Sequence, residues 1–183
     1  MVRFQNFETE RLVVSDWAAT LSDEAARAAL EARLAQMLTP EVLKDLPPSM
    51  QIAPDKADIA GWIDARAAES EVSLVINRQS NEILGLFVLV AIRDAGDAPV
   101  MHLGYLFSED TWGQGYASEL IRGVVAKAKT GPSSVLMGGV AVDNPASAWI
   151  LIKAGFLRDA SQSTKETDMF VLRTKSAGHW PRD

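Results

Sequence analysis

The chain reads as a mixed α/β protein, a sheet flanked by helices. Three observations lead to that class. Apolar runs of strand length alternate with stripes at helical spacing. Their order is strand, two helices, three strands, helix, strand, helix, strands. No internal repeat or long linker divides them, so the expectation is one domain over residues 1–183, long enough to bury about two-thirds of the surface its unfolded form exposes.

Residues 10–17 contain Arg11-Leu12-Val13-Val14-Ser15, the first expected strand. Ser22 is expected to cap a helix, with Asp23 and Glu24 in its first turn and Ala26, Leu30, Leu34, Met37 and Leu38 as its apolar stripe. Pro40, Pro47 and Pro48 break the next stretch into turns. A second helix, expected to start at Asp55, places Ile59, Trp62, Ile63, Arg66 and Ala67 on one side. Residues 72–76 form a strand, 77–81 a polar turn, and 83–92 a strand with almost no polar residue, which predicts burial on both faces.

After a turn at 94–99, residues 100–107 make the fourth strand, leading into Thr111-Trp112-Gly113-Gln114-Gly115-Tyr116-Ala117. A helix opens inside that stretch, carries Ala117, Leu120, Ile121, Val124, Val125 and Ala128 on one stripe, and closes with Lys127, Lys129, Gly131 and Pro132. Residues 135–142 are the fifth strand and contain Gly138-Gly139. Asn144-Pro145 starts a short helix through Ala154 that stops at Gly155. Its run Ala148-Trp149-Ile150-Leu151-Ile152 is apolar all round and predicts a mostly buried helix. A polar turn, a strand over 168–173 and a loose tail follow.

Composition removes several classes of chemistry. There is no cysteine, hence no disulfide, thiolate metal site or acyl-cysteine intermediate. Two isolated histidines, one of them His179 in the tail, make no metal site. The net charge of -6 and pI of about 5.0 disfavour nucleic acid and anionic membrane as partners, and mildly favour a cationic substrate. The longest apolar run, 83–92, is too short to cross a bilayer, and residues 1–10 lack a secretion signal, so the expectation is a cytoplasmic protein.

The stretch 111–117 has a chemistry of its own. A strand feeding a glycine-rich turn that opens a helix aims unpaired N–H groups and the positive end of the helix dipole at one point, which suits an anionic phosphate. Two glycines spaced by one residue before a helix also suit a tight packing turn.

Four segments together carry a resemblance. Gly104-Tyr105, then Trp112-Gly113-Gln114-Gly115-Tyr116-Ala117-Ser118-Glu119, then Asn144-Pro145-Ala146-Ser147, then Lys153-Ala154-Gly155-Phe156 resemble the GNAT superfamily of acetyl-CoA-dependent N-acetyltransferases. More narrowly they resemble its RimJ/RimL-like branch of ribosomal-protein N-terminal-alanine acetyltransferases, which shares an opening like Thr9-Glu10-Arg11-Leu12. The resemblance implies the GNAT-type acyl-CoA N-acyltransferase fold: a mixed, mostly antiparallel sheet of about six to seven strands, splayed between the fourth and fifth, with about four helices. It implies acetyl-CoA as cosubstrate and no metal. The family's phosphate pattern falls on Trp112, Gly115 and Ala117, and Trp112 departs from the usual Arg or Gln. Backbone N–H groups of Gly113, Gln114, Gly115, Tyr116 and Ala117 are then left to hold the pyrophosphate, so side-chain substitutions in the turn are expected to have little effect. Arg122 is a further candidate for charge near it.

By the same resemblance, Leu106 and Phe107 flank the pantetheine arm on one side and residues 139–142 on the other. Asn144 bonds that arm, and it equally reads as a helix N-cap, two roles that use different edges of one amide. Ser147 takes the place of the hydroxyl that protonates the departing CoA thiolate, or else is an ordinary serine of the first helical turn. His102 lies where many relatives carry a glutamate, and an imidazole there can accept the amine proton near neutral pH. The alternation of Met101, His102 and Leu103 supports the other reading, a merely exposed strand histidine. A backbone N–H near Leu106 or Phe107 is the implied oxyanion donor.

The expected function is therefore transfer of acetyl from acetyl-CoA, by direct attack, to a primary amine: a small-molecule amine or a protein N-terminus. Trp17, Trp62, Asp55, Asp58 and Asp64 are candidates to line its entrance. A homodimer paired through the C-terminal strands is compatible with the sequence. Two alternatives stay open. One is a non-catalytic acyl-CoA-binding module, to which His102 in place of an acid gives weight. The other is a nucleotide-phosphate enzyme, disfavoured because Gly113-Gln114-Gly115 lacks the Lys-Ser/Thr ending of a P-loop.

Overall fold

The structure, a computed structural model, describes residues 6–52, 58–92 and 99–175. Among these residues there are eight strands and six α-helices, in an α/β arrangement that is mostly antiparallel. The chain gathers into two compact units, the first from Met1–Leu89 and Gly104–Tyr116, the second from Val90–Leu103 and Ala117–Asp183.

In the first unit, β1 (Phe7–Glu8), β2 (Leu12–Asp16), β3 (Glu71–Asn77) and β4 (Ile83–Ile92) pair antiparallel in sequence order, as far as Leu89 of β4. The far half of β5 (Val100–Phe107) lies so close to β4 that a Cβ on Gly85 would meet the Leu106 carbonyl oxygen at 2.2 Å. Only a residue without a side chain lets the two backbones approach that far. The polar turn after β3 is closed by Asn77, whose side-chain oxygen accepts from the N–H groups of Gln79 and Ser80. Asn81 completes the turn at φ 60°.

Helices α1 (Ala18–Ser22), α2 (Glu24–Met37), α3 (Pro40–Leu43) and α4 (Ile59–Glu69) belong to this unit. The cap of α2 is Asp23, not Ser22: the Asp23 carboxylate accepts from the Ala26 N–H at 2.7 Å. Ser22 instead ends α1 and donates to the Ala18 carbonyl. Leu30, Leu34 and Met37 of the predicted stripe are buried, joining Ile63, Val72, Leu74, Leu86 and Leu106 in one core. The proline stretch forms α3 and a 3₁₀ turn, Pro48–Met50, rather than turns alone. Asp58 caps α4 through the Gly61 N–H at 2.8 Å. Asp55, the expected start, lies outside the described residues, and Ala67 is exposed rather than part of the stripe.

In the second unit, β5 pairs parallel with β6 (Ser134–Ala141) from Val100 opposite Val135 to His102 opposite Met137. Next to β6 lies β8 (Thr167–Thr174), antiparallel, and β7 (Leu157–Asp159) forms the edge beyond it. Strands β1 and β7, each three residues or fewer, were not distinguished in the sequence. Helix α5 (Tyr116–Thr130) buries Leu120, Ile121, Val124, Val125 and Ala128, as its stripe predicts, together with Glu119.

Helix α6 (Pro145–Lys153) departs from expectation. Leu151 alone among its residues is buried, while Trp149 and Ile152 are 59% and 47% exposed. Its apolar composition over-predicts burial because one turn, not the whole circumference, seats on the sheet: Leu151 packs over Gly138 of β6, where a Cβ would come within 3.1 Å of it. Lys153 lies over the Trp149 ring at 5.7 Å and shields part of it. The strand expected to be buried on both faces is so only from Leu84 to Leu89, and residues 90–92 are exposed.

Candidate active site

Two glycines with positive φ shape the turn after β5. Ser108 donates its N–H to the Leu84 carbonyl, and a 3₁₀ turn, Glu109–Thr111, follows. The chain then bends through Gly113 at φ 74° and Gly115 at φ 81°. L side chains rarely adopt that region, so both glycines are conformational requirements. A Cβ on Gly113 would meet nothing within 4 Å, leaving its backbone open to an approaching group.

Gly115 immediately precedes α5 and has no side chain with which to cap it. The other helices longer than eight residues are capped by side chains: Asp23 for α2, Asp58 for α4 and Asn144 for α6. Gly115 brings no side chain of its own to the start of α5, and a glycine turn opening a helix suits a phosphate, which takes several backbone N–H donors at once.

Side chains brace this turn instead of pointing into it. The Trp112 indole N–H donates to the Phe107 carbonyl at 2.9 Å, tying the turn to the end of β5. Gln114 donates from its side-chain amide to the Asp110 carbonyl at 2.8 Å. From β2's approach, Arg11 reaches the turn: its Nη1 donates to the Gln114 carbonyl at 3.1 Å, and its guanidinium lies 4.4 Å above the Tyr116 ring. Asn77 Nδ2 donates to the Tyr116 hydroxyl at 3.3 Å. Sequence reading left these four braces out, although Arg11 was quoted in the shared opening. Beside the turn is a cavity of about 500 Å³ whose lining includes Arg33, Gln36, Asn77, Glu82 and Tyr116.

The remaining candidates fall on strand ends and on α6. Leu106 and Phe107 are buried, and Phe107 meets Tyr105 edge-on with ring centroids 6.3 Å apart. Asn144 is the N-cap of α6, its Oδ1 accepting from the Ser147 N–H at 3.0 Å. Ser147 is half-buried, and its hydroxyl makes no hydrogen bond among the described residues. His102 is half-buried between buried Met101 and Leu103, on the opposite face from both, and burial pushes its pKa down from 6.5. Arg122 is exposed.

The proposed entrance residues have other occupations. Trp17 is 3% exposed and lies in the core of the first unit. Trp62 is also core, with its indole N–H donating to the Met50 carbonyl at 3.1 Å. Asp58 caps α4, and Asp64 is paired with Arg27 at 2.8 Å. Among the described residues no group of three or more acidic or histidine side chains could hold a metal ion, and no helix is long and apolar enough to cross a membrane.

Comparison with known proteins bears on the family and the fold. The acetyltransferase (GNAT) domain model matches residues 11–157. Among solved structures, an acetyltransferase of the GNAT family from Bacillus anthracis superposes with a TM-score of 0.65 at 14% identity, covering 93% of this chain and 98% of that one. RimL, a ribosomal alpha-N-protein acetyltransferase in complex with coenzyme A, gives 0.65 at 15% identity, covering 94% and 99%. Spermidine N-acetyltransferase from Vibrio cholerae, in complex with CoA and spermine, gives 0.64 at 12% identity, covering 91% and 97%. No curated protein sequence matches. With a domain model spanning residues on both sides of the glycine turn and most of the strands and helices described above, the chain belongs to the GNAT family and is an acetyl-CoA-dependent acetyltransferase.

Proposed function

We propose that the protein is an N-acetyltransferase acting by direct attack of a primary amine, and that residues 1–183 form one such domain. The observation that carries the reading is the turn of Gly113 and Gly115, both at positive φ and opening directly into α5, inside a domain match over residues 11–157. When bound, acetyl-CoA supplies an activated acyl carbon and a thiol leaving group. The chain's residues then divide the work. Backbone N–H groups of Gly113, Gln114, Gly115, Tyr116 and Ala117 hold the pyrophosphate, with Trp112 keeping the turn on β5. Leu106 and Phe107 orient the pantetheine arm and offer the oxyanion a backbone N–H, and Asn144 contacts the arm while its Oδ1 caps α6. Ser147 donates the proton that the departing thiolate needs.

His102 takes the proton from the amine. Its lowered pKa keeps the imidazole neutral at pH 7, the form a base requires. The acceptor is a small amine or a protein N-terminus. RimL and spermidine N-acetyltransferase represent those two classes among the structures of similar fold.

The test is release of free CoA from acetyl-CoA across a panel of polyamines, other primary amines and peptides with free N-termini. Acetylation of one class is the expected result. CoA binding without release on any acceptor would replace this reading with that of a non-catalytic CoA-binding module.

A further inference from the structure

We infer that Arg11 is a positioning residue of the phosphate turn, aligning its backbone donors from outside the turn. The inference rests on the reading of residues 113–117 as the pyrophosphate site.

Arg11 stands immediately before β2, whose Leu12 pairs with Asn77, and its own carbonyl accepts from the Arg78 N–H at 2.9 Å. The backbone of Arg11 is thus locked to the β3–β4 turn before its side chain is considered. From that fixed base the guanidinium makes two contacts with the phosphate turn, the Nη1 bond to the Gln114 carbonyl and the stack on Tyr116. Its Nη2 comes within 3.6 Å of the place a Gly115 Cβ would occupy. Tyr116 is held from its other end by Asn77. One arginine therefore contacts Gln114 and Tyr116, the residues on either side of Gly115.

The planarity of the peptide bond gives this arrangement its consequence. In a trans peptide the carbonyl and the N–H point in opposite directions. Gln114 O is drawn toward Arg11, so the N–H of Gly115, in the same peptide plane, is turned away from Arg11. With positive φ on both sides of Gln114, the free turn has several accessible orientations of that peptide, because glycine restricts it least. The Arg11 bond selects one of them before ligand arrives, which lowers the ordering cost of binding. Lysine cannot substitute: it has neither the planar face that stacks on Tyr116 nor a second N–H in fixed relation to the first. With Trp112 occupied at the Phe107 carbonyl, the cation that the turn's own first position does not provide is brought by Arg11 from a distant part of the sequence.

The test compares Arg11→Ala and Arg11→Lys with the unaltered protein, measuring CoA binding by calorimetry and pantetheine binding by NMR titration. Both variants should weaken CoA about tenfold, a loss the size of one charge-assisted hydrogen bond. Both should bind pantetheine, which lacks the pyrophosphate, as the unaltered protein does. Retained CoA affinity in both variants would overturn the role. So would full affinity in Arg11→Lys alone, since charge without geometry would then suffice. Equal losses for CoA and pantetheine would mark a general structural defect and also overturn it. If the unaltered protein fails to bind CoA, the failure belongs to the phosphate reading and not to Arg11.

Discussion

His102 lies on β5 opposite Met137 of β6, with Met101 and Leu103 buried to either side of it in sequence. Burial lowers its folded pKa below 6.5, so the unfolded chain binds the proton more readily than the native one. Above pH 6.5 this histidine adds no pH dependence to stability. As pH falls through 6.5 toward the lower folded value, stability drops. Replacing it by glutamine should flatten that part of the curve, read by denaturant melts from pH 7.5 to 5. A slope unchanged by His102→Gln would show that the imidazole is not protected from protonation. Catalysis offers a separate reading of the same residue: Ser147→Ala and His102→Gln should each cut turnover roughly 10²-fold with CoA affinity retained. Turnover unaffected by either change would remove that residue from the chemistry.

At the scale of elements, the approach of β4 to β5 depends on Gly85. A methyl group there would press on the Leu106 carbonyl oxygen, a backbone atom with no rotamer to escape through. Gly85→Ala should cost about 1–3 kcal/mol, as overpacking does, and the urea midpoint measures it. A midpoint within error of the parent would mean that the two strands separate freely.

The turn before α5 shows a similar division between backbone and side chain. Its glycine spacing was readable, and so was the helix it opens, because a stripe of 3.6-residue period persists through Ala128. The expectation that side chains in the turn matter little does not follow from the structure, where Trp112, Gln114 and Tyr116 each brace it. No local pattern shows that an indole will find a carbonyl five residues back, or that Arg11 will cross 103 positions to reach Gln114.

For the molecule as a whole, ligand linkage is the direct check on family chemistry. Acetyl-CoA at a hundred times its dissociation constant should add about 2.7 kcal/mol to stability, a rise of roughly 5–10 °C in Tm for a chain of this size. ATP and NAD should leave Tm in place. A flat response to every CoA ester would contradict the assignment of the turn.

Long periodic elements and the glycine turn before α5 were decided by sequence alone, because burial of one face imposes a period and left-handed backbone imposes glycine. The same holds for the absence of thiol chemistry, since no cysteine exists to perform it. Short elements were not: β1, β7, α1 and α3 each have five residues or fewer, too few to announce a period, and they persist through tertiary hydrogen bonds and packing. Tertiary structure also decided which apolar side chains are covered. Trp17 and Trp62 are core while Trp149 is exposed, a distinction invisible in composition because it depends on which helical turn meets another layer. It also brought Arg11 to the glycine turn, since a contact spanning 103 residues exists only once β2, β3 and β4 have paired.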